Sequence, residues 1–260
     1  MIVLGFDTAT SATAVGLRLA DGTGSRARDD PAAGEHPGHA TRLLPMAEEL
    51  LDGAGLAWSE VDRIVAGVGP GTFTGLRVGL ATARGLAQSI PAQLVGVSSL
   101  QTLAAGAYMG APEEHTQAAE VVLAVIDARR GEAFVAAYAR GAEVPLELCA
   151  PCALPPERLG DAIASAGDRA RASGLLLSLR PASWLAVGDG AVRYRERVEG
   201  AGVAVPPDGD ARHLIDGAAI CELGLHAAAG EPYEKILPDY RRRPDAELAL
   251  EAAAASTIEP

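Results

Sequence analysis

The sequence predicts an α/β protein built from two related lobes. An apolar run over residues 2–6 ends in Asp7, and after a polar turn residues 13–19 alternate between apolar and polar as in a half-exposed strand. The same order returns about 120 residues later, where the apolar run 121–126 ends in Asp127 and a second alternating strand follows another polar turn. Continuous apolar runs are typical of strands covered on both faces, so both lobes should carry helices on their sheets.

The repeat also suggests where the lobes divide. We assign residues 1–105 to an N-terminal lobe and 106–211 to a C-terminal lobe. An alanine-rich helix is predicted within 212–230, and part of it should rejoin the first lobe. Residues 244–260 contain few large apolar side chains, so a frayed helix or disorder is predicted there.

A first helix is predicted over residues 39–51, which place their large apolar side chains on one face. Pro45 fits this helix only if it begins near Leu44 or is kinked, because proline removes a backbone hydrogen bond from a helix interior. His36 and His39 lie in or just after the polar loop before it. With no carboxylate or cysteine placed to complete a metal site, we expect both to face solvent.

A glycine-rich stretch with a buried strand before it and a helix after it is the most distinctive part of the chain. Residues 64–68 read as the strand, residues 69–75 as the loop, and Thr72 or Thr74 can cap a helix that begins near Gly75. Every fourth residue of that helix is small: Gly75, Gly79, Ala83 and Ala87. Interior glycine costs about 1 kcal/mol, so this stripe predicts a closely packed partner helix, either in the same domain or on another chain.

Further elements follow from shorter patterns. Residues 94–97 and 185–187 read as buried strands, and residues 156–172 contain helical pieces. Ser98 and Gln101 have the spacing of a capping box, which predicts the start of a third helix.

Composition excludes several classes of function. The formal charge of −12 and pI of about 4.9 argue against unaided nucleic-acid binding, which needs a basic surface. No apolar run approaches the roughly 20 residues of a membrane span, and the start of the chain reads as a strand instead of a signal peptide, so we expect a cytoplasmic protein. Cys149, Cys152 and Cys221 suit a reducing compartment, and we interpret the Cys149–Cys152 pair as small buried or loop residues.

The polar turns offer a candidate nucleotide site. Its residues would be Asp7, Thr8, Thr10, Asp127, Gly188, Asp189 and Gly190. A carboxylate turn in each lobe and a glycine-rich loop late in the chain have the layout of a two-lobed nucleotide-dependent enzyme. The same residue types also form turns by bonding their own backbone, which is the commoner use. Neither an HxxxH nor an HExxH metal motif occurs in the sequence.

Five segments together resemble a known family. They are FDTATSATAVGL (6–17), HATRLLPM (39–46), GVGPGTFTGLRVGLATARGLA (67–87), IDARRGEAF (126–134) and VGDG (187–190). In this order they are similar to the TsaB family, the dimerisation partners in bacterial synthesis of threonylcarbamoyladenosine on the anticodon-adjacent adenosine of tRNA. The resemblance implies the actin-like ATPase (ASKHA) fold. It also implies that any nucleotide site here is vestigial and that no cofactor is expected.

The resemblance further implies a non-catalytic subunit. The catalytic relative TsaD carries two metal-binding histidines, and this sequence has Ser99 and Leu103 at the equivalent positions, so neither the catalytic residues nor the metal of that relative are expected here. The implied partners are TsaD, bound through the first two helices, and TsaE, with tRNA reached only through the complex and a homodimer left open. The implied contact residues are Leu43, Leu44, Met46, Gly75, Leu76, Val78, Gly79 and Thr82. The alternatives are an autonomous ATPase or sugar kinase and, more weakly, a glycoprotease-type metallopeptidase.

Overall fold

The computed structural model describes residues 1–32, 34–110, 119–172, 184–228 and 230–241. Within them, nine strands form two sheets with helices on their faces. The prediction of an α/β protein with two related sheets is confirmed. The predicted tail 244–260 lies outside the described residues.

The N-terminal sheet has the order β3-β2-β1-β4-β5. Its strands are β1 (Val3–Asp7), β2 (Thr13–Arg18), β3 (Gly24–Asp29), β4 (Arg63–Gly69) and β5 (Gln93–Ser98). Strand β1 pairs antiparallel with β2 and parallel with β4, and β4 pairs parallel with β5. The carboxyl ends of β1, β4 and β5 therefore meet at one edge of the sheet.

The C-terminal sheet has the order β8-β7-β6-β9. Its strands are β6 (Val121–Arg129), β7 (Glu132–Ala139), β8 (Leu146–Leu154) and β9 (Trp184–Val187). Strand β6 pairs antiparallel with β7 and parallel with β9, just as β1 pairs with β2 and β4. The sequence repeat is therefore also a repeat of topology, with Asp7 and Asp127 at equivalent strand ends.

The helices lie in three groups. They are α1 (His39–Gly53), α2 (Phe73–Ser89), α3 (Ser99–Met109), α4 (Leu159–Ala172), α5 (Asp189–Arg193), α6 (Arg195–Gly200) and α7 (Gly217–His226). Helices α1 and α2 cover the outer face of the N-terminal sheet, and α4 and α6 the outer face of the C-terminal sheet. Helices α3 and α7 share the third apolar core with side chains from both sheets, so this core lies between the lobes. Both faces of β1 are buried, as its apolar run predicts.

One helix agrees with its predicted bounds and another does not. Helix α1 begins at His39 as predicted and continues through Pro45, which lies on its exposed side, so the alternative start near Leu44 is wrong. Helix α7 spans Gly217–His226 and not the longer alanine-rich stretch. Its start is fixed by Asp216, whose carboxylate accepts a hydrogen bond from the backbone N–H of Ala218 at 2.8 Å. The capping role of Ser98 is confirmed, since its side chain accepts from the backbone N–H of Gln101.

Candidate functional site

Both oxygens of the first turn's carboxylate, Asp7, accept hydrogen bonds from within the chain. One carboxylate oxygen of Asp7 accepts a hydrogen bond from the hydroxyl of Ser99 at 2.6 Å, and the other accepts from the backbone N–H of Ala9 at 2.7 Å. Burial raises the pKa of Asp7 above its ordinary value, although the bonds from Ser99 and Ala9 act in the opposite direction. The neighbouring Thr8 donates its hydroxyl to the carbonyl of Gly75 at 2.8 Å. Asp7 thus joins the end of β1 to the start of α3, and Thr8 joins it to α2.

The equivalent carboxylate of the C-terminal lobe is also engaged. Asp127 accepts a hydrogen bond from the guanidinium of Arg193 at 2.8 Å, and the guanidinium of Arg129 lies 3.5 Å from the same carboxylate oxygen. The backbone N–H of Asp127 donates to the carboxylate of Asp189 at 2.9 Å. Burial raises the pKa of Asp189. These contacts tie the hairpin of β6 and β7 to the start of α5.

A cavity of about 180 Å³ lies between the lobes beside these two turns. Thr10, Arg28 and Asp189 line it, together with His213. Pockets for ligands of nucleotide size usually measure about 300–1,000 Å³, so this cavity is small for such an occupant. The structure brings Thr10 and Asp189 to one cavity, while Asp7 and Asp127 stay bonded within their own lobes.

His213 is a buried residue of this region that the sequence gave no reason to select. Its Nδ1 accepts a hydrogen bond from the backbone N–H of Gly188 at 3.1 Å. Its Nε2 lies 3.1 Å from the carbonyl of Pro206, so the proton is assigned to Nε2 and the ring is neutral. The ring holds the loop that contains Gly188, Asp189 and Gly190 in place, with Gly188 at φ 109°.

The small-residue stripe of α2 packs inside the chain. A Cβ atom at Gly75 would overlap the carbonyl oxygen of Thr8, and a Cβ atom at Gly79 would overlap the Thr8 hydroxyl. Gly75, Gly79 and Ala83 are all buried. At Gly75 and Gly79 the close neighbour is therefore Thr8, directly after β1, and not the predicted helix. Ala83, further along the stripe, shares an apolar core with side chains of α1.

The predicted contact residues divide into two groups. Five of them are buried in the chain's own core or against β1: Leu43, Met46, Gly75, Leu76 and Gly79. These five can hold the helices in position but cannot present side chains to a partner. Leu44 is 44% exposed, and Val78 and Thr82 are half-buried. Only these three of the eight remain as proposed contact residues.

The opposite side of α2 carries a second set of small side chains. Thr74, Val78, Ala81, Thr82 and Gly85 recur at spacings of three and four and are exposed or half-buried. A Cβ atom at Gly85 would meet no heavy atom within 4 Å. We call this set the outward face of α2. Small residues at these positions allow a second backbone to approach closely.

His39 occupies a different environment from the predicted one. It is 4% exposed and lies at the start of α1, with its Nδ1 2.9 Å from the hydroxyl of Thr13 on β2. Burial lowers its pKa. His36 is exposed, as predicted. Cys149 and Cys152 lie half-buried in β8, and Cys221 is buried on α7.

The described parts of the chain contain neither a cluster of metal ligands nor a helix suited to span a membrane. Among these residues, no group of three or more His, Cys, Asp or Glu side chains is placed to hold a metal ion. Of their helices, none is both long enough and apolar enough to cross a membrane.

Comparison with known proteins places the chain in a family. A family model described as TsaD, tRNA N6-adenosine threonylcarbamoyltransferase, matches residues 34–190. The structure of YeaZ from Pseudomonas aeruginosa is 30% identical, covers 92% of this chain and 99% of its own, and superimposes with a TM-score of 0.71. The chain belongs to the TsaB (YeaZ) family.

Curated relatives agree with this TsaB assignment. The tRNA threonylcarbamoyladenosine biosynthesis protein TsaB of Escherichia coli is 39% identical over 54% of this chain, and that of Haemophilus influenzae is 36% identical over the same share. These alignments span about half of the relatives' own length, 56% and 55%. A further Pseudomonas aeruginosa structure, described as an uncharacterized protein with similarity to peptidase YEAZ, is 32% identical, covers 93% of this chain and 99% of its own, and has a TM-score of 0.70.

Proposed function

We propose that this TsaB-family chain is a non-catalytic subunit for the formation of threonylcarbamoyladenosine on tRNA, and that it acts by binding TsaD. In this proposal TsaD rests on the outward face of α2 and on the neighbouring exposed side chain of Leu44. The chain contributes no reacting group. TsaE is a further component, and the chain without TsaD can pair with itself through the same face.

The outward face is the observation that carries the proposal. Gly75 and Gly79 pack closely against Thr8, which fixes the orientation of α2 on the sheet. The opposite side of α2 therefore faces outward in a fixed orientation. Ala81, Thr82 and Gly85 leave room there for another helix at short distance. Leu44 adds an exposed apolar side chain at 44%. An apolar core on a rigid helix is the usual centre of a stable protein interface.

The carboxylate turns support a non-catalytic role. A carboxylate that binds a nucleotide's magnesium ion must be accessible to that ion, and Asp7 and Asp127 are only 2% and 8% exposed. The oxygens of Asp7 bond Ser99 and Ala9, and Asp127 is paired with Arg193. In each lobe the acid therefore already serves as a structural link.

A co-purification experiment tests the proposed interface. Ala81→Trp places a bulky side chain on the outward face, and we expect it to abolish capture of this chain by tagged TsaD. Ala164→Trp is the matched control, because Ala164 is an exposed helical alanine on α4 in the other lobe. Normal capture of Ala81→Trp with an unchanged melting temperature would contradict the proposed face.

Substitution of Gly79 is not a clean test of the same interface. Gly79→Leu would push a side chain into Thr8 and so disturb the fold itself. Loss of TsaD binding by this variant would follow from misfolding as readily as from a blocked surface. Ala81 avoids this difficulty because its side chain points away from the core.

The rival proposal is an autonomous ATPase or sugar kinase that uses Asp7 and Asp127. Its one supporting observation is that Thr10 and Asp189 line the same cavity, although Asp7 and Asp127 do not line it. Isothermal titration with ATP and magnesium decides between the two. Tight binding that is abolished by Asp7→Ala supports the ATPase, whereas no binding heat together with capture by TsaD supports the subunit.

A further inference from the structure

The segment that follows α7 lies beside a helix whose charged residues are all cationic. We call residues 232–241 the strap. Helix α2 contains Arg77 and Arg84 and no acidic residue. The strap itself is neutral, with Lys235 and Arg241 against Glu234 and Asp239, and Arg241 is paired with Asp239 at 2.6 Å. In a chain of net charge −12, α2 is thus a local exception.

The strap is fixed along one side of α2. The guanidinium of Arg84 donates to the carbonyl of Ile236 at 2.7 Å, and the backbone N–H of Asp239 donates to the carbonyl of Val68 at 2.7 Å. The side chain of Ile236 is buried in the apolar core beneath α2. The backbone of the strap is therefore anchored at both ends of its contact with α2.

At the first turn of α2, Phe73, Arg77 and Tyr240 form a cluster. The guanidinium carbon of Arg77 lies 3.7 Å from the ring centroid of Phe73, and its Nε donates to the hydroxyl of Tyr240 at 3.1 Å. The two aromatic rings are 5.2 Å apart. Phe73 is 36% exposed and Tyr240 41% exposed. Among the residues that the structure describes, no carboxylate forms an ion pair with Arg77.

This cluster has the chemistry of an RNA contact. Stacking and the single bond to Tyr240 fix the plane of the Arg77 guanidinium, which keeps further N–H donors for a phosphate. Because the Tyr240 oxygen accepts from Arg77, its own O–H can donate outward. Proteins that bind unpaired RNA combine exposed aromatic rings, on which bases stack, with arginines along the phosphate backbone.

We propose that the Phe73–Arg77–Tyr240 cluster contacts single-stranded RNA, with Arg77 on a phosphate and Tyr240 against an unpaired base. This inference rests on the proposed function, which supplies RNA as the polyanion that the TsaD complex binds. Phe73 lies on the strap side of α2, whereas Arg77 lies one helical turn before Ala81 and so borders the outward face. Capture by TsaD is therefore measured for every variant of the cluster.

RNA binding by the complex of this chain with TsaD tests the inference. The probe is a fluorescently labelled RNA hairpin with an unpaired loop, compared with a fully paired duplex. We expect Arg77→Ala to weaken hairpin binding about tenfold and to reduce the slope of log affinity against log salt by about one phosphate contact. Tyr240→Ala should weaken hairpin binding about tenfold and duplex binding much less. Arg158→Ala, an exposed arginine of the other lobe, is the matched control and should change neither.

The same variants separate failure of this inference from failure of the proposed function. Unchanged hairpin binding by Arg77→Ala and Tyr240→Ala, with TsaD still captured, would overturn the RNA contact alone. Loss of TsaD capture by these variants would make the cluster a protein contact and would also overturn it. If TsaD is not captured by the wild-type chain, the titration is made on this chain alone, and an effect of Arg77→Ala there still supports the contact.

Discussion

The two sides of α2 carry similar small residues in different surroundings. On the inward side, Gly75 and Gly79 lie so close to Thr8 that no side chain fits. On the outward side, Ala81 and Gly85 face open space, and a Cβ atom at Gly85 would touch nothing. A small residue on a helix can thus lie in a close contact within the chain or on an open surface. Only the neighbouring atoms in the structure distinguish the two cases.

The contact between Gly75 and Thr8 on the inward side is the closer of the two. Gly75→Ala should disrupt it and cause the largest change in stability among the variants considered. The new methyl group would overlap the carbonyl oxygen of Thr8, which is backbone and cannot rotate away. Overpacking costs typically about 1–3 kcal/mol, which outweighs the gain of up to about 1 kcal/mol from replacing a helical glycine. Urea denaturation should show a net loss of about 1–2 kcal/mol in the free energy of unfolding. Unchanged stability would mean that β1 and α2 are not in close contact.

Sequence periodicity identified the small face of α2 but not its neighbour. Glycine and alanine at every fourth position show which side of a helix is small, and they carry no information about what packs there. The neighbour is Thr8, which is 67 residues before Gly75 and joined to it by a hydrogen bond. The same limit explains His39, which was expected to face solvent but is buried. Its hydrogen-bond partner Thr13 lies 26 residues earlier in the sequence, so no local pattern indicated the contact.

Strands and caps were easier to predict because their signals are local. The apolar runs before Asp7 and Asp127 are buried on both faces, as such runs require, and they lie in equivalent places in the two sheets. Ser98 caps α3 through a residue only three positions away. At the candidate site, the residue types of the turns were visible in the sequence. Their partners Ser99 and Arg193 were not, because these contacts span 92 and 66 residues.

The contact between Asp7 at the end of β1 and Ser99 at the start of α3 predicts that stability depends on pH. Burial raises the pKa of Asp7, so the folded state binds its proton more tightly than the unfolded state does. The stability from this group is complete below the ordinary value of 3.8 and is lost as pH rises through the folded pKa. Asp7→Asn keeps both hydrogen bonds, since its oxygen can accept from Ala9 and its NH₂ can donate to Ser99. The variant should therefore gain stability relative to wild type as pH rises from 4 towards 8.

Urea denaturation at a series of pH values measures this difference. Ser99→Ala is the informative companion, because it removes a hydrogen bond that favours the ionised form of Asp7. In this variant the loss of stability with rising pH should be steeper than in wild type. Parallel curves for wild type and Asp7→Asn would show that the Asp7 carboxylate is better solvated than its position implies.

The smallest expected effect lies on the outward side and completes the comparison. Gly85→Ala adds a methyl group where nothing lies within 4 Å, and alanine is the better helix former by about 1 kcal/mol. The isolated chain should therefore become more stable by about 0.5–1 kcal/mol in the same assay in which Gly75→Ala is destabilised. If TsaD packs closely on this face, the same methyl group should also weaken capture by TsaD. A gain in stability combined with weaker capture would mean that glycine at position 85 favours TsaD binding and lowers helix stability. A gain with unchanged capture would place the contact nearer to Leu44 and Val78.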